Sequence, residues 1–337
     1  MKFSVLQILA CCVALTCANA GPPSAEFGAR FVAAEKAKAS VVAGTDGWLF
    51  LASELRMLSF DRFWGDAAAK VSRSPKPETA DPIPAIVDFQ TQLKARGIDL
   101  LLVPVPPKAA IYPEKILSSA ATDGSLASLT EFYAALKTAG VEVLDLAPIL
   151  LAAKAGEHGP VFCATDTHWS GSGCVLAAQA IAKAIGDKLQ LKRTGTFSTE
   201  WKTLAIHGDL LDLPGGPGKR APDEKIAVRL VTPANGTAVA PDPGSQVLLI
   251  GDSHTLVFHD FLAERAGLLD QLAAEIGIAP DLIGTKGSGA TTVRGNLFRK
   301  SIKDPAYLSK KKVVVWCFTA REFTEADSGW QKLPVAK

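Results

Sequence analysis

Asp166 and His168 stand two positions apart in the segment ATDTHWS (164–170), and Ser253 closes the segment VLLIGDS (247–253). A serine hydroxyl is a weak nucleophile until an imidazole takes its proton, and the imidazole works best when a carboxylate fixes its tautomer. The three residue types of acyl-transfer chemistry are therefore present in two short stretches. Residues two apart in an extended loop point to the same side, so Asp166 and His168 can face one cavity. Two other readings stay open. His254, directly after the serine, is a second candidate base, and the pair at 166 and 168 also reads as a helix cap beside a histidine bonded to backbone. Neighbouring residues on a tight turn point apart, which favours His168 over His254.

The elements around these residues must place them together. Ser253 follows the buried-strand run QVLLIGD (246–252) and precedes a helical pattern. In an open parallel sheet the strand-to-helix turn at the carboxyl edge presents side chains to substrate, beside amides that can receive negative charge. Further continuous apolar runs, IDLLLVPVP (98–106), VEVLDL (141–146) and KKVVVWCFTAREF (311–323), predict parallel strands covered on both faces. Helices are predicted over 26–38, 83–95, 125–140 with Gly140 as its C-cap, 170–185 with Ser170 as its N-cap, and within 255–277. GTDG (44–47) is a turn before the short strand WLFL (48–51), and 72–84 is a Pro-rich loop. This alternation predicts a doubly wound α/β fold. Residues 21–82 read as an N-terminal extension packed on the core, and 83–330 as the main domain with an irregular Gly- and Pro-rich insertion near 190–245.

Of the 337 residues 48% are apolar and 21% charged, with a net charge of +2 and no basic run longer than KKK at 310–312. An extended nucleic-acid surface has no support in that balance. Residues 1–20 carry Lys2, an apolar core and the small-residue ending ANA, which predicts a cleaved signal peptide; an uncleaved inner-membrane anchor is the alternative. Three of the six cysteines leave with that segment. Export permits a disulfide, and Cys163 and Cys174 flank the Asp-His motif closely enough to be joined; the other reading makes them and Cys317 small buried hydrophobes.

The blocks GTDGWLFL, VPVPPKAAIYPE, TDTHWS, VLLIGDSHT, GSGATTVRGNL and VVVWCFTAREF occur in that order across the chain. In this the chain resembles the AlgX/AlgJ-type SGNH-hydrolase-like family of exported alginate O-acetyltransferases. The resemblance implies a three-layer α/β/α, flavodoxin-like sandwich with a permuted motif order, the Asp-His pair preceding the serine. It implies Ser253 as nucleophile, His168 as base and Asp166 as its orienting acid, with no metal or cofactor. It brings the loop with Gly287, Ser288 and Gly289 to the site as a candidate oxyanion donor beside the Ser253 amide. Arg321 and Lys108 are further candidate substrate-binding groups, and Trp48, Trp169, Trp201 and Trp316 are candidate sugar platforms. With 14 residues following Phe323, the resemblance implies the single-domain form of the family rather than the form with a C-terminal carbohydrate-binding module. The implied activity is acetyl transfer to a polysaccharide through an acetyl-serine in the periplasm, with a membrane-bound acyltransferase as acetyl supplier. The alternatives are an acetylesterase and a non-catalytic polysaccharide-export scaffold.

Overall fold

In a computed structural model, residues 23–118, 124–186, 189 and 191–337 are described; the signal-peptide expectation falls outside them. Eight strands occur among the described residues: β1 (Val41–Ala43), β2 (Leu49–Leu51), β3 (Asp99–Val105), β4 (Phe197–Ile206), β5 (Glu224–Pro233), β6 (Val247–Gly251), β7 (Asp281–Gly284) and β8 (Val313–Thr319). The central sheet has the order β3-β8-β6-β7, with every neighbour parallel. The continuous apolar runs explain this placement. All five residues of β6 and all seven of β8 are buried, which only a strand covered on both faces requires. β6 and β8 also approach closely at the end that matters: a β-carbon on Gly251 would sit 1.7 Å from the Cys317 carbonyl oxygen.

The strand expected at 141–146 is reduced to one parallel bridge between Val143 and Leu102. Leu102 exchanges backbone bonds with Glu142 and Leu144, but Pro104 on the same edge has no N–H to carry the ladder on. The expected helix at 255–277 also shrinks, to Leu268–Ile276. Gly267 is its N-cap, its amide donating to the Asp270 carboxylate at 3.0 Å. Upstream, Phe258, Leu262 and Arg265 have φ of +63°, +63° and +62°, which no right-handed helix accommodates.

The 190–245 insertion holds an element that composition concealed. β4 and β5 pair antiparallel over ten residues each as a separate ribbon. β4 is largely exposed and shows no apolar alternation, whereas β5 supplies the buried stripe Ile226, Val228 and Val231. β5 packs against helices Gly171–Gly186 and Leu268–Ile276. Helices Pro82–Lys94 and Thr291–Lys303 meet over β8, where Phe89 and Trp316 contact edge to face and the buried Arg294 lies over both rings. Phe27, Trp48 and Phe50 from the N-terminal segment belong to the same buried cluster as Trp316 and Phe318. Among the described residues no helix is long and apolar enough to cross a membrane.

Candidate active site

The strand β6 ends at Gly251, and the chain turns at once into a single 3₁₀ turn, Ser253–Thr255. Asp252 caps that turn, its Oδ1 accepting the His254 amide at 2.9 Å, and its Oδ2 takes the Thr319 amide at 2.7 Å from the end of β8. The turn is thus fastened to the neighbouring strand, and half-buried Ser253 stands at the carboxyl edge of the sheet.

The loop 163–170 delivers the other two groups. His168 Nε2 lies 2.8 Å from Ser253 Oγ, and His168 Nδ1 lies 2.6 Å from Asp166 Oδ1. The same carboxylate oxygen accepts the His168 amide at 2.9 Å, so the two-residue spacing makes a closed local ring. Burial pushes the Asp166 carboxyl up, but the His168 imidazole against it and the amides of Asp209 and His168 more than reverse this and bring it to about 2. An ionised carboxylate on Nδ1 holds that proton there and leaves Nε2 as the acceptor facing serine. His254 does not take that place. Its Nδ1 faces Asp252 at 3.3 Å, and burial lowers it to about 4, so it is neutral at ordinary pH.

Charged side chains from three distant parts of the chain hold this loop. The buried Lys108 ammonium donates to the carbonyls of Cys163 (3.0 Å), Ala164 (3.3 Å) and Asp166 (2.8 Å). Glu224, at the start of β5, accepts the amides of Ala164 (2.7 Å) and Thr165 (2.8 Å). Asp209 accepts the Thr167 amide at 2.8 Å and its hydroxyl at 2.7 Å, while the Asp209 amide donates to Asp166 Oδ2 at 2.9 Å. Gly208 permits this docking, because a β-carbon there would lie 2.2 Å from the Thr165 carbonyl oxygen. Asp209 and Glu224 went unmarked in the sequence. Both lie in the insertion, and only the ribbon's fold brings them to the motif.

The remaining candidates separate. Lys108 lies beneath the loop as its anchor. Its own amide donates to Glu54 at 3.2 Å, and Glu54 in turn accepts from Arg321 at 3.4 Å. Arg321 also donates to the Thr319 hydroxyl at 3.1 Å. Gly289 abuts Asp252 and Phe318, whose β-carbons lie 3.1 and 2.4 Å from the position of an added β-carbon. The Ala290 amide donates to the buried Glu322 carboxylate at 3.2 Å, and the Gly289 amide helps to hold that carboxyl down. Gly287 takes the left-handed φ of +76° and is exposed; Ser288 is half-buried. Trp48, Trp169 and Trp316 are buried in the core and offer no sugar platform, whereas Trp201 is half-exposed.

The expected bond between Cys163 and Cys174 is absent: both are buried free thiols, as is Cys317. Cys163 Sγ turns to the Trp169 carbonyl at 3.5 Å and Cys174 Sγ to the Ala266 carbonyl at 3.7 Å. Polar wiring takes the bracing role that a disulfide would have had.

Side-chain atoms of Asp166, His168 and Asp209 lie within 4.8 Å of one another, a spacing that a cation could bridge. Each of the four carboxylate oxygens, however, already accepts a hydrogen bond from the protein. The set suits orienting an imidazole better than holding a metal.

Residues 41–319 match the family model described as SGNH hydrolase-like domain, acetyltransferase AlgX. The chain belongs to that family. Curated relatives are named "Probable alginate O-acetylase AlgJ": the protein of Pseudomonas syringae pv. tomato is 29% identical over 230 residues, 64% of this chain and 54% of its own length. That of Pseudomonas fluorescens is 34% identical over 175 residues, 49% of this chain and 44% of its own. The chain spans about half the length of these relatives. Among solved structures, the O-acetyltransferase domain of Pseudomonas putida AlgJ superposes with a TM-score of 0.63 at 26% identity, covering 85% of this chain and 92% of that domain. Pseudomonas aeruginosa AlgX superposes at 0.62 with 18% identity over 88% of this chain and 64% of its own, a likeness of fold. The α/β fold of this AlgX-family chain is therefore the SGNH-hydrolase-like one.

Proposed function

We propose that this chain is a serine-dependent O-acetyltransferase acting on an exported polysaccharide. The observation that carries the reading is the hydrogen-bonded relay Asp166–His168–Ser253, with separations of 2.6 and 2.8 Å. Ser253 Oγ attacks the donor's acetyl carbonyl while its proton passes to His168 Nε2. The carbonyl π electrons move to oxygen, and the Ser253 backbone N–H is the donor assigned to that developing charge. Collapse expels the donor's leaving group, which takes the proton from His168, and leaves an acetyl ester on Ser253. A sugar hydroxyl, deprotonated in turn by His168, attacks this ester and restores the serine. Ionised Asp166 stabilises the imidazolium in both halves.

The likeness to the AlgJ O-acetyltransferase domain supports acetyl transfer to a polysaccharide, and the sequence of residues 1–20 supports export to the periplasm; a membrane-bound acyltransferase as acetyl supplier is part of the same proposal. The test is incubation of the mature chain with a chromogenic acetyl ester, then with sugar oligomers. Mass analysis is expected to find one added acetyl group on the peptide holding Ser253, and product oligosaccharides carrying it. Unchanged ester turnover in Ser253→Ala overturns the assignment. Acetate as sole product, whatever sugar is supplied, makes the protein an esterase.

A further inference from the structure

Tryptophan is highly buried on average, and five of the six here are buried; Trp201, on β4, is the exception. Its indole stacks on the His158 ring, centroids 3.8 Å apart and planes 22° from parallel. The two rings border a cavity of about 310 Å³ that no member of the Asp-His-Ser relay lines. Val175, Leu176 and Ala153 give it an apolar wall, and Glu157, Gln179 and Arg229 a hydrogen-bonding rim. Arg229 is committed, donating to Gln271 at 2.7 Å and to Glu275 at 2.6 Å. Glu157, Gln179 and the Trp201 indole N–H make no side-chain hydrogen bond among the described residues.

We propose that this cavity is a second sugar subsite, which grips a neutral pyranose of the acceptor chain; the proposal rests on the acetyltransferase reading. An aromatic ring and aliphatic side chains match the C–H face of a pyranose, and planar amide and carboxylate groups at the rim match its hydroxyls. Charge selects the sugar type. Among the described residues at the rim, Arg229 is the one cation and is already paired with Glu275, and Glu157 has no ion-pair partner, so a uronate would meet repulsion where a neutral hexose meets acceptors. Position ties the cavity to the chemistry. Helix Gly171–Gly186 starts directly after the His168 loop, and β5 carries Glu224, which holds that loop. In this proposal one residue of the acceptor chain sits in the Trp201 cavity while a different residue is presented to Ser253.

The experiment compares wild type, Trp201→Ala and Gln179→Leu, the second at an exposed helix position that leaves folding intact. Titration calorimetry uses neutral hexose oligomers and oligouronates, and kinetics use the chromogenic acetyl ester with and without the oligomers. Neutral oligomers are expected to bind wild type, about tenfold more weakly to each variant, which is roughly 1.4 kcal/mol. KM for neutral oligomers rises by the same factor while kcat and hydrolysis of the chromogenic ester stay unchanged. Equal binding to wild type and both variants, or binding of oligouronates alone, overturns the subsite. Loss of Ser253-dependent ester turnover in wild type would sink the acetyltransferase reading, and the calorimetric arm would then judge the cavity independently.

Discussion

At the scale of single residues, the site is two histidines with two aspartates, and only one pair serves the serine. His168 points Nε2 at Ser253, while the ring of His254, 4.8 Å from it between centroids, is turned to Asp252 and kept neutral by burial. Replacing His168 with alanine is expected to lower kcat by at least about a thousandfold, and Asp166→Asn by a similar factor through the wrong tautomer. Asp209→Asn removes one charge-assisted acceptor from Thr167, whose hydroxyl lies 3.3 Å from His168 Nδ1, while leaving all three relay residues in place. Its expected cost is about 10- to 100-fold in kcat, with KM little changed. Steady-state kinetics on the chromogenic ester rank the three; Asp209→Asn falling as far as Asp166→Asn would show that the two acids share one function. Chelator is expected to leave all rates unchanged, because the oxygens of Asp166 and Asp209 are already committed to protein donors.

At the scale of elements, the loop 163–170 keeps its shape because Lys108 donates to three carbonyls; that of Ala164 also accepts the Leu49 amide at 2.9 Å, but those of Cys163 and Asp166 depend on the ammonium. Lys108→Met fills the same space with no donor, and is expected to destabilise the fold by roughly 3–5 kcal/mol in urea unfolding. No covalent staple backs it up. In a chain beginning at Gly21, a thiol reagent is expected to count three cysteines after unfolding and essentially none before, with no change on prior reduction; a count of one would restore the disulfide. The same elements show what the sequence made legible. β6 and β8 were readable because a strand covered on both faces must be apolar throughout, and Ser253 was readable because it follows such a strand. The ribbon was not, since exposed β4 carries no period to read. Asp209 and Glu224 were hidden with it, because their role is a distance across the fold rather than a spacing along the chain. The helix expected upstream of Gly267 failed for a related reason: the apolar residues Val257 and Phe258 are buried there by an irregular path with left-handed turns.

At the scale of the molecule, one buried cluster runs from Phe27 to Val335, and the acids of the site sit at its rim beneath the carboxyl edge of the sheet. Burial raises the Asp252 carboxyl, yet His254 and the Thr319 amide bring it down to about 2, so it is charged across the working range. Glu322 lies close by and has less help. Burial first, and then the Asp252 charge, push its carboxyl from 4.5 up to about 7, against the pull of Arg321 and of the Ala290 and Gly289 amides. Between about pH 4.5 and 7 the folded chain therefore holds a proton on Glu322 that the unfolded chain has released. Stability linked to that proton is full below pH 4.5 and is lost as pH rises through 7, a change of roughly 3 kcal/mol. Other groups also titrate in this window, so the informative quantity is the difference between wild type and Glu322→Gln, which stays neutral and keeps an acceptor for the two amides. Urea unfolding from pH 4.5 to 8.5 is expected to show the variant gaining on wild type as pH rises, by up to that amount. Parallel stability curves would mean that Glu322 ionises in the folded chain as readily as in the unfolded one, and that the loop 285–290 is held by a carboxylate charged throughout.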